Sequence, residues 1–291
     1  MPCFSPVDVP RKGYTDLRIT VACGRCIGCR LDRQRDTAIR CVHEAQLHEH
    51  SCFATLTYDA EHLPPGGSLR PRDFTLFMKR LRHARPGQTV RYLQCGEYGS
   101  NLERPHHHAL LFGVFFPDRK LIPGTLEKGK PRWTSRELCE LWGQGERCDI
   151  GVLNQRTAAY TAGYLLKRIT GDLAESHYRV VDPSTGEVFQ RHPEYSTRST
   201  KPGLGSGFLD RFVSDIYPRD FCATVDGRQV PPPVYYDKLL EREDPELFKA
   251  IKARRFAYAM EPRQQANCTP ERLEVRETVK RSALSLRSKS L

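Results

Sequence analysis

Two β-forming runs, Arg91 to Gly99 and Pro105 to Gly113, are separated by a short polar loop containing Gly99, Ser100 and Asn101, and they read as an antiparallel pair. A strand alternates its side chains between two faces. In Pro105-His106-His107-His108-Ala109-Leu110-Leu111-Phe112, His106 and His108 therefore point together and His107 points away. Cα atoms two residues apart in a strand lie about 7 Å apart, so the two imidazoles can share one ion. A hard divalent cation also takes oxygen, and Glu97 on the preceding strand can supply it across the hairpin. The expected metal set is Glu97, His106 and His108, with Mg²⁺ or Mn²⁺ as the ion. A His-x-His pair alone is common at polar strand ends. The carboxylate on the partner strand and the apolar Ala109 to Phe112 run, which anchors the imidazoles, set this one apart.

A helix is expected over Gln155 to Thr170, capped by Asn154 or Thr157 and stopped by Gly171. Tyr160, Tyr164 and Lys167 stand at i, i+4 and i+7 and share one face of it. Taken alone, tyrosines on a helix are surface packing. Here Ala158, Ala159, Ala162 and Gly163 leave room for a substrate to approach. A phenol that attacks a phosphodiester keeps the phosphate in an ester linkage instead of losing it to water. With a pKa near 10 it is a poor nucleophile unaided. A cation would polarise the phosphate, and Lys167 would stabilise charge. Two tyrosines permit two successive transfers.

The chain has 46 Lys and Arg against 35 Asp and Glu, a net charge of +11, which favours a polyanionic partner such as nucleic acid. Met1 to Tyr14 lacks the apolar core of a signal peptide, and no stretch is long and apolar enough to span a bilayer, so an intracellular protein is expected. Eleven cysteines are then not a disulfide framework. Cys23, Cys26 and Cys29, at two-residue spacings, can hold structural Zn²⁺ with Cys3 or Cys41 as a fourth thiolate. The alternatives are buried thiols in a tight turn or an iron–sulfur site. Gly124 to Lys130 fits the first seven positions of a phosphate-binding loop, but Pro131 stands where Ser or Thr should bind Mg²⁺. The chain is therefore expected to borrow a helicase. Arg198 and Lys201, with Gly203, Gly205 and Gly207, can follow a DNA backbone or simply form a basic surface loop.

Other elements follow from periodicity and punctuation. An Arg-rich helix is expected over Arg30 to His48, a strand over Cys52 to Tyr58, and a helix from Pro71 whose core face is Phe74, Phe77, Met78 and Leu81. Thr134-Ser135-Arg136-Glu137 matches a capping box opening a short helix ended by Gly143, and Arg147 to Leu153 reads as a strand. Beyond Gly171 come a hairpin-like stretch, Pro231-Pro232-Pro233, a charged helix near Tyr236 to Met260 and a polar tail. The expected division is a Cys- and Arg-rich segment over 1–50 packed on a catalytic domain over 51–230, followed by a helical, charged extension over 231–291.

Together these motifs resemble the HUH endonuclease superfamily, and within it the replication initiation proteins of microviruses, gokushovirus-like members especially. The resemblance covers Val21 to Arg30, Phe53 to Tyr58, Gly96-Glu97-Tyr98-Gly99, Arg104 to His108, and Ala159-Tyr160 through Tyr164 to Lys167. The last four look like the family's first motif, metal carboxylate, His-hydrophobe-His motif and tyrosine motif. The resemblance implies an α+β fold, a central antiparallel sheet flanked by helices (RRM-like) with a helical C-terminal extension. It also implies Glu97, His106 and His108 as ligands and Tyr160 and Tyr164 as nucleophiles. The activity implied is rolling-circle initiation at a viral origin in the host bacterial cytoplasm: the protein nicks and rejoins single-stranded DNA through a 5′-phosphotyrosine, with host helicase and polymerase as partners. His107 departs from the family, whose middle position is hydrophobic, and so bears on the ligand register. Competing readings are a relaxase or transposase of the same superfamily, or a non-catalytic zinc-stabilised nucleic-acid-binding protein.

Overall fold

The computed structural model describes residues 3–14, 16–99, 102–163, 169, 171–182 and 185–289. They fall into two compact units, Thr37–Val213 and Met1–Asp36 with Ser214–Leu291. The expected three-part division thus differs from the observed one, in which the N-terminal segment and the C-terminal extension share a unit. The division falls inside helix α1 (Ile27–Ala45).

The Thr37–Val213 unit is built on a seven-stranded sheet in which every neighbouring pair is antiparallel. Its strands are β3 (Ser51–Thr57), β4 (Arg91–Tyr98), β5 (Pro105–Phe112), β6 (Lys120–Leu121), β7 (Arg132–Thr134), β8 (Asp149–Val152) and β11 (Tyr195–Arg198), in spatial order β11-β4-β5-β3-β8-β7-β6. The expected hairpin is β4 and β5, and β5 pairs with β3 on its other side. Flanked on both edges and covered on both faces, β5 is buried at every position but one. A strand buried on both faces reads as a continuous apolar run, as Ala109 to Phe112 does.

Alternation sends the two halves of β5 to different cores. Ala109 and Leu111 join Leu56, Tyr58, Phe74, Phe77, Met78, Leu81, Leu138 and Trp142 on the face covered by α2 (Pro71–His83) and α3 (Arg136–Trp142). Leu110 and Phe112 join Ala38, Cys41 and Ala158 on the face covered by α1 and α4 (Gln155–Gly163). The four apolar residues expected along α2 are all buried, since that spacing makes a single stripe.

Two local readings are corrected. The cap of α3 is Ser135, not Thr134: its Oγ accepts from the Leu138 N–H at 3.1 Å and donates to Asp118 at 2.7 Å. Asp118 also accepts from the Glu137 N–H at 2.9 Å, the work a capping box would give to the Thr134 side chain. Arg198 is not in a loop but in β11, which extends the sheet beyond β4. Gly124 to Lys130 joins β6 to β7, so the segment lacks the strand-to-helix setting of a phosphate loop. The expected hairpin after Gly171 is β9 (Arg179–Val181) with β10 (Val188–Gln190), following α5 (Leu173–Tyr178).

The other unit carries two hairpins, β1 (Val7–Pro10) with β2 (Arg18–Val21) and β12 (Cys222–Ala223) with β13 (Gln229–Val230). Helix α6 (Ser206–Ile216) enters it, and α7 (Val234–Glu243), α8 (Pro245–Ala259), α9 (Pro262–Ala266) and α10 (Pro270–Lys289) follow. The expected charged helix breaks at Asp244, which caps α8 by accepting from Leu247 N–H at 3.0 Å, with Pro245 at the first helical position. Arg255 of α8 ties the unit together, bonding Asp220 at 2.8 Å and Asp237 of α7 at 2.7 Å. The expected polar tail is a helix, started at Pro270 and supported by a Glu277–Arg281 pair at 2.6 Å. No described helix is long and apolar enough to cross a membrane.

Candidate metal and nucleophile site

Register places Glu97 directly opposite His106, and Cys95 opposite His108, across β4 and β5. Opposed residues of an antiparallel pair share a face, so Glu97, His106 and His108 converge. Glu97 Oε1 lies 2.7 Å from His106 Nε2 and 3.1 Å from His108 Nε2. The two rings stand edge to face, 4.8 Å between centroids. Glu97 and His108 are buried and His106 is half-buried. Burial alone would raise the Glu97 carboxyl, but the two imidazoles outweigh it and hold its pKa below the ordinary carboxylate value.

The far side of each ring is also engaged. The Arg104 carbonyl accepts from His106 Nδ1 at 3.1 Å, and His108 Nδ1 meets Thr55 Oγ1 at 3.3 Å. A carbonyl can only accept, which puts the His106 proton on Nδ1 and leaves an Nε2 lone pair facing the carboxylate. Two acceptors 2.7 Å apart repel unless positive charge is shared between them. One carboxylate oxygen and two imidazole nitrogens are a donor set that fits a divalent cation. Outer partners that lock each ring's tautomer are the usual support of such a set. Thr55 was not legible as a support, because it acts through a register that pairs it with His108.

His107 is fully buried on the opposite face among Tyr58, Phe74, Trp142 and Tyr195. Its Nε2 lies 3.3 Å from Tyr58 Oη and its Nδ1 3.4 Å from Tyr195 Oη. Burial pushes its pKa down to about 3, so it is a neutral core side chain. It packs as a hydrophobe would and faces away from the Glu97, His106 and His108 cluster. Gly96 is its cross-strand partner, and a Cβ there would meet the Tyr195 ring at 2.7 Å and His107 Nδ1 at 3.2 Å. The position has no room for a side chain.

Helix α4 brings Tyr160 to the face that carries Glu97, His106 and His108. Asn154 caps the helix, accepting from the Thr157 N–H at 3.0 Å, while Thr157 Oγ1 returns a bond to the Asn154 N–H at 2.9 Å. Ala158 is buried against the sheet, and Ala159 and Ala162 pack beside it, so the helix lies close. Tyr160, one turn from the cap, sets its ring edge to face against His108, 5.4 Å between centroids, and against Phe53 at 6.3 Å. It is 49% exposed, which leaves the phenol reachable from solvent. Partial burial and then the Glu97 charge raise its pKa to about 12. Tyr164 and Lys167 lie outside the described residues. Arg198 and Lys201 are exposed, on β11 and just after it. Cys23, Cys26 and Cys29 belong to the other unit, where they gather with Cys3.

The model of a family described as replication-associated protein ORF2/G2P matches residues 51–169, a span that holds β3 to β5, the Glu97, His106 and His108 cluster and Tyr160. The replication-associated protein VP4 of Bdellovibrio phage phiMH2K is 31% identical over 242 residues, 80% of this chain and 71% of that one. The replication-associated protein ORF2 of Spiroplasma virus 4 is 33% identical over 256 residues, 82% of this chain and 74% of that one. The replication-associated protein ORF4 of Chlamydia phage 1 is 33% identical over 154 residues, 50% of this chain and 38% of that one. No solved structure matches.

Proposed function

The chain belongs to the family of phage replication-associated proteins, and from that premise we propose that it starts rolling-circle replication by nicking, and later rejoining, single-stranded DNA at a viral origin. The observation that carries the reading is the Tyr160 ring standing beside His108, a member of a preformed Glu97, His106 and His108 donor set. Those three residues would hold Mg²⁺ or Mn²⁺, whose chemistry there is to polarise the scissile phosphate. Thr55 and the Arg104 carbonyl keep both imidazoles aimed at one point, so the set needs no rearrangement to bind.

Tyr160 supplies the nucleophilic oxygen. Its bond to phosphorus forms as the bond from phosphorus to the 3′ oxygen breaks. The phenol's proton leaves to solvent and the departing oxygen takes one up, giving a 5′-phosphotyrosine and a free 3′ hydroxyl that primes synthesis. In rejoining, a 3′ hydroxyl attacks the phosphotyrosine and restores the phenol. Tyr164 is the second nucleophile of the proposal and Lys167 steadies the phosphate charge. Arg198 and Lys201 follow the DNA backbone, and the net charge of +11 suits that partner. Unwinding falls to a host helicase and extension to a host polymerase in the bacterial cytoplasm.

The test is incubation of the full chain, with Mg²⁺ or Mn²⁺, with single-stranded oligonucleotides tiling the cognate phage genome. A covalent protein–DNA adduct is expected that survives denaturing electrophoresis, maps to Tyr160 or Tyr164 by mass spectrometry, and disappears with chelator or in the Tyr160→Phe, Tyr164→Phe double variant. Absence of any adduct across the tiled genome overturns the reading.

A further inference from the structure

We propose that Cys3, Cys23, Cys26 and Cys29 form a structural tetrathiolate zinc site, separate from the Glu97, His106 and His108 set, that closes the N-terminal segment onto the start of α1. The four sulfurs lie within 4.8 Å of one another. Cys3 Sγ is 3.5 Å from Cys23 Sγ and 3.8 Å from Cys26 Sγ. Zinc–thiolate bonds of about 2.3 Å in a tetrahedron put the sulfurs roughly 3.8 Å apart, close to the two distances from Cys3. A disulfide would need about 2.05 Å, and all four thiols are free.

The backbone around the cluster is arranged for sulfur that carries negative charge. The Cys3 sulfur accepts from the Cys23 N–H at 3.2 Å, and the Cys26 sulfur accepts from the Phe4 N–H at 3.3 Å. The Cys23 sulfur accepts from two successive amides, Arg25 at 3.4 Å and Cys26 at 3.3 Å. The chain turns both amides back onto the sulfur through the residue between Cys23 and Arg25, and Gly24 takes the left-handed conformation there with φ 73°. Cys26 and Cys29 sit at the opening of α1, where the unsatisfied amides and the helix dipole favour anionic groups. Arg25 is exposed beside them, and Arg33 donates to the Gly24 carbonyl. Basic side chains of this kind offset the net negative charge of a zinc ion held by four thiolates.

The fourth ligand was open between Cys3 and Cys41, and the geometry decides for Cys3. Cys41 is fully buried in the apolar core under α1, with Ala38, Leu110 and Phe112. The choice has a structural consequence. Cys3 and Cys23 flank the β1 and β2 hairpin, whose strands are mostly exposed and bury little of their own apolar surface. A two-stranded hairpin of that kind is marginal in water, and a metal clip at its base supplies what its core does not.

The experiment is metal analysis of the purified full chain after dialysis against a chelator, together with Cys3→Ser, Cys29→Ser, Cys41→Ser and Glu97→Ala variants. The expected result is about one zinc per chain, retained in Cys41→Ser and Glu97→Ala and lost in the Cys3→Ser, Cys29→Ser double variant. Should the double variant fail to fold, titration of the wild-type chain with a mercurial decides. Zinc release in step with modification of the four thiols sustains the site. Zinc-free native protein, zinc unaffected by the cysteine changes, or iron with inorganic sulfide in its place overturns it.

Discussion

The two faces of β5 carry adjacent histidines with opposite work. His108 shares Glu97 Oε1 with His106 and has Tyr160 at its edge. His107, one residue earlier, is sealed between α2, α3 and the sheet and is neutral, its pKa pushed down by burial to about 3. The residue type is the same; what differs is what lies opposite. On one face the row holds a carboxylate that wants positive charge, opposite His106 and 3.1 Å from His108, and on the other the cross-strand partner is a glycine beside two phenols. In the proposed function chemistry belongs to one face of this sheet and packing to the other, and the faces can be broken separately.

The largest effect is expected at the carboxylate. Glu97→Gln removes the only anionic donor of the set, and loss of several kcal/mol of transition-state stabilisation means nicking slower by about a thousandfold or more. The thermal midpoint should fall as well, because the two imidazoles hold the Glu97 carboxyl below its ordinary range and a carboxyl lowered on folding contributes stability, so nicking is compared per folded molecule. Adduct formation under single turnover, with the melting curve, checks both. Normal nicking by this variant would dissolve the distinction between the faces.

A smaller effect, on stability alone, is expected further along the same face. Arg91, in the β4 row that ends at Glu97, pairs with Glu44 of α1 at 2.6 Å, and Glu44 also accepts from the Gly205 N–H at 2.7 Å. Burial would raise the Glu44 carboxyl, but His48, the Gly205 amide and Arg91 outweigh it and lower its pKa. A carboxyl lowered on folding adds stability that is present above its unfolded pKa near 4.3 and is lost as pH falls through the folded value. Glu44→Gln should cost about 3 kcal/mol at neutral pH, and the gap from the parent should narrow as the medium is acidified below the carboxylate range. Urea denaturation across pH measures it, and a gap that is constant with pH would assign the loss to packing.

The smallest effect is expected on the His107 face. Tyr58 donates to the buried Asp73 carboxylate at 2.9 Å and lies beside His107. Tyr58→Phe should cost about 2 kcal/mol, the value of a hydrogen bond to a charged group, and leave nicking per folded molecule unchanged. A drop in nicking larger than the drop in folded fraction would show that the two faces are coupled.

Much of the site was legible because it rests on local rules. Strand alternation separated His107 from its neighbours, the hairpin spacing brought Glu97 across, and Asn154 and Thr157 announced the start of α4. The elements misread were those decided at a distance. Ser135 is held by Asp118 from another segment, and Tyr195 to Arg198 become a strand only because the edge of β4 has backbone groups to pair with. Thr55 is one β-branched residue among several in a strand. Nothing in its neighbourhood distinguishes it until register sets it against His108.

By itself the sequence determined the hairpin, the alternation of its faces, the residue types of the Glu97, His106 and His108 cluster and the cysteine spacing, since each depends on periods of two to four residues along one chain. Tertiary structure alone decided that α4 lies close enough to set Tyr160 against His108, that Cys3 and not Cys41 completes the thiol cluster, and that His107 is core. Those outcomes depend on which surfaces meet. Meeting is governed by burial and backbone pairing across the whole sheet, which no short window of sequence contains.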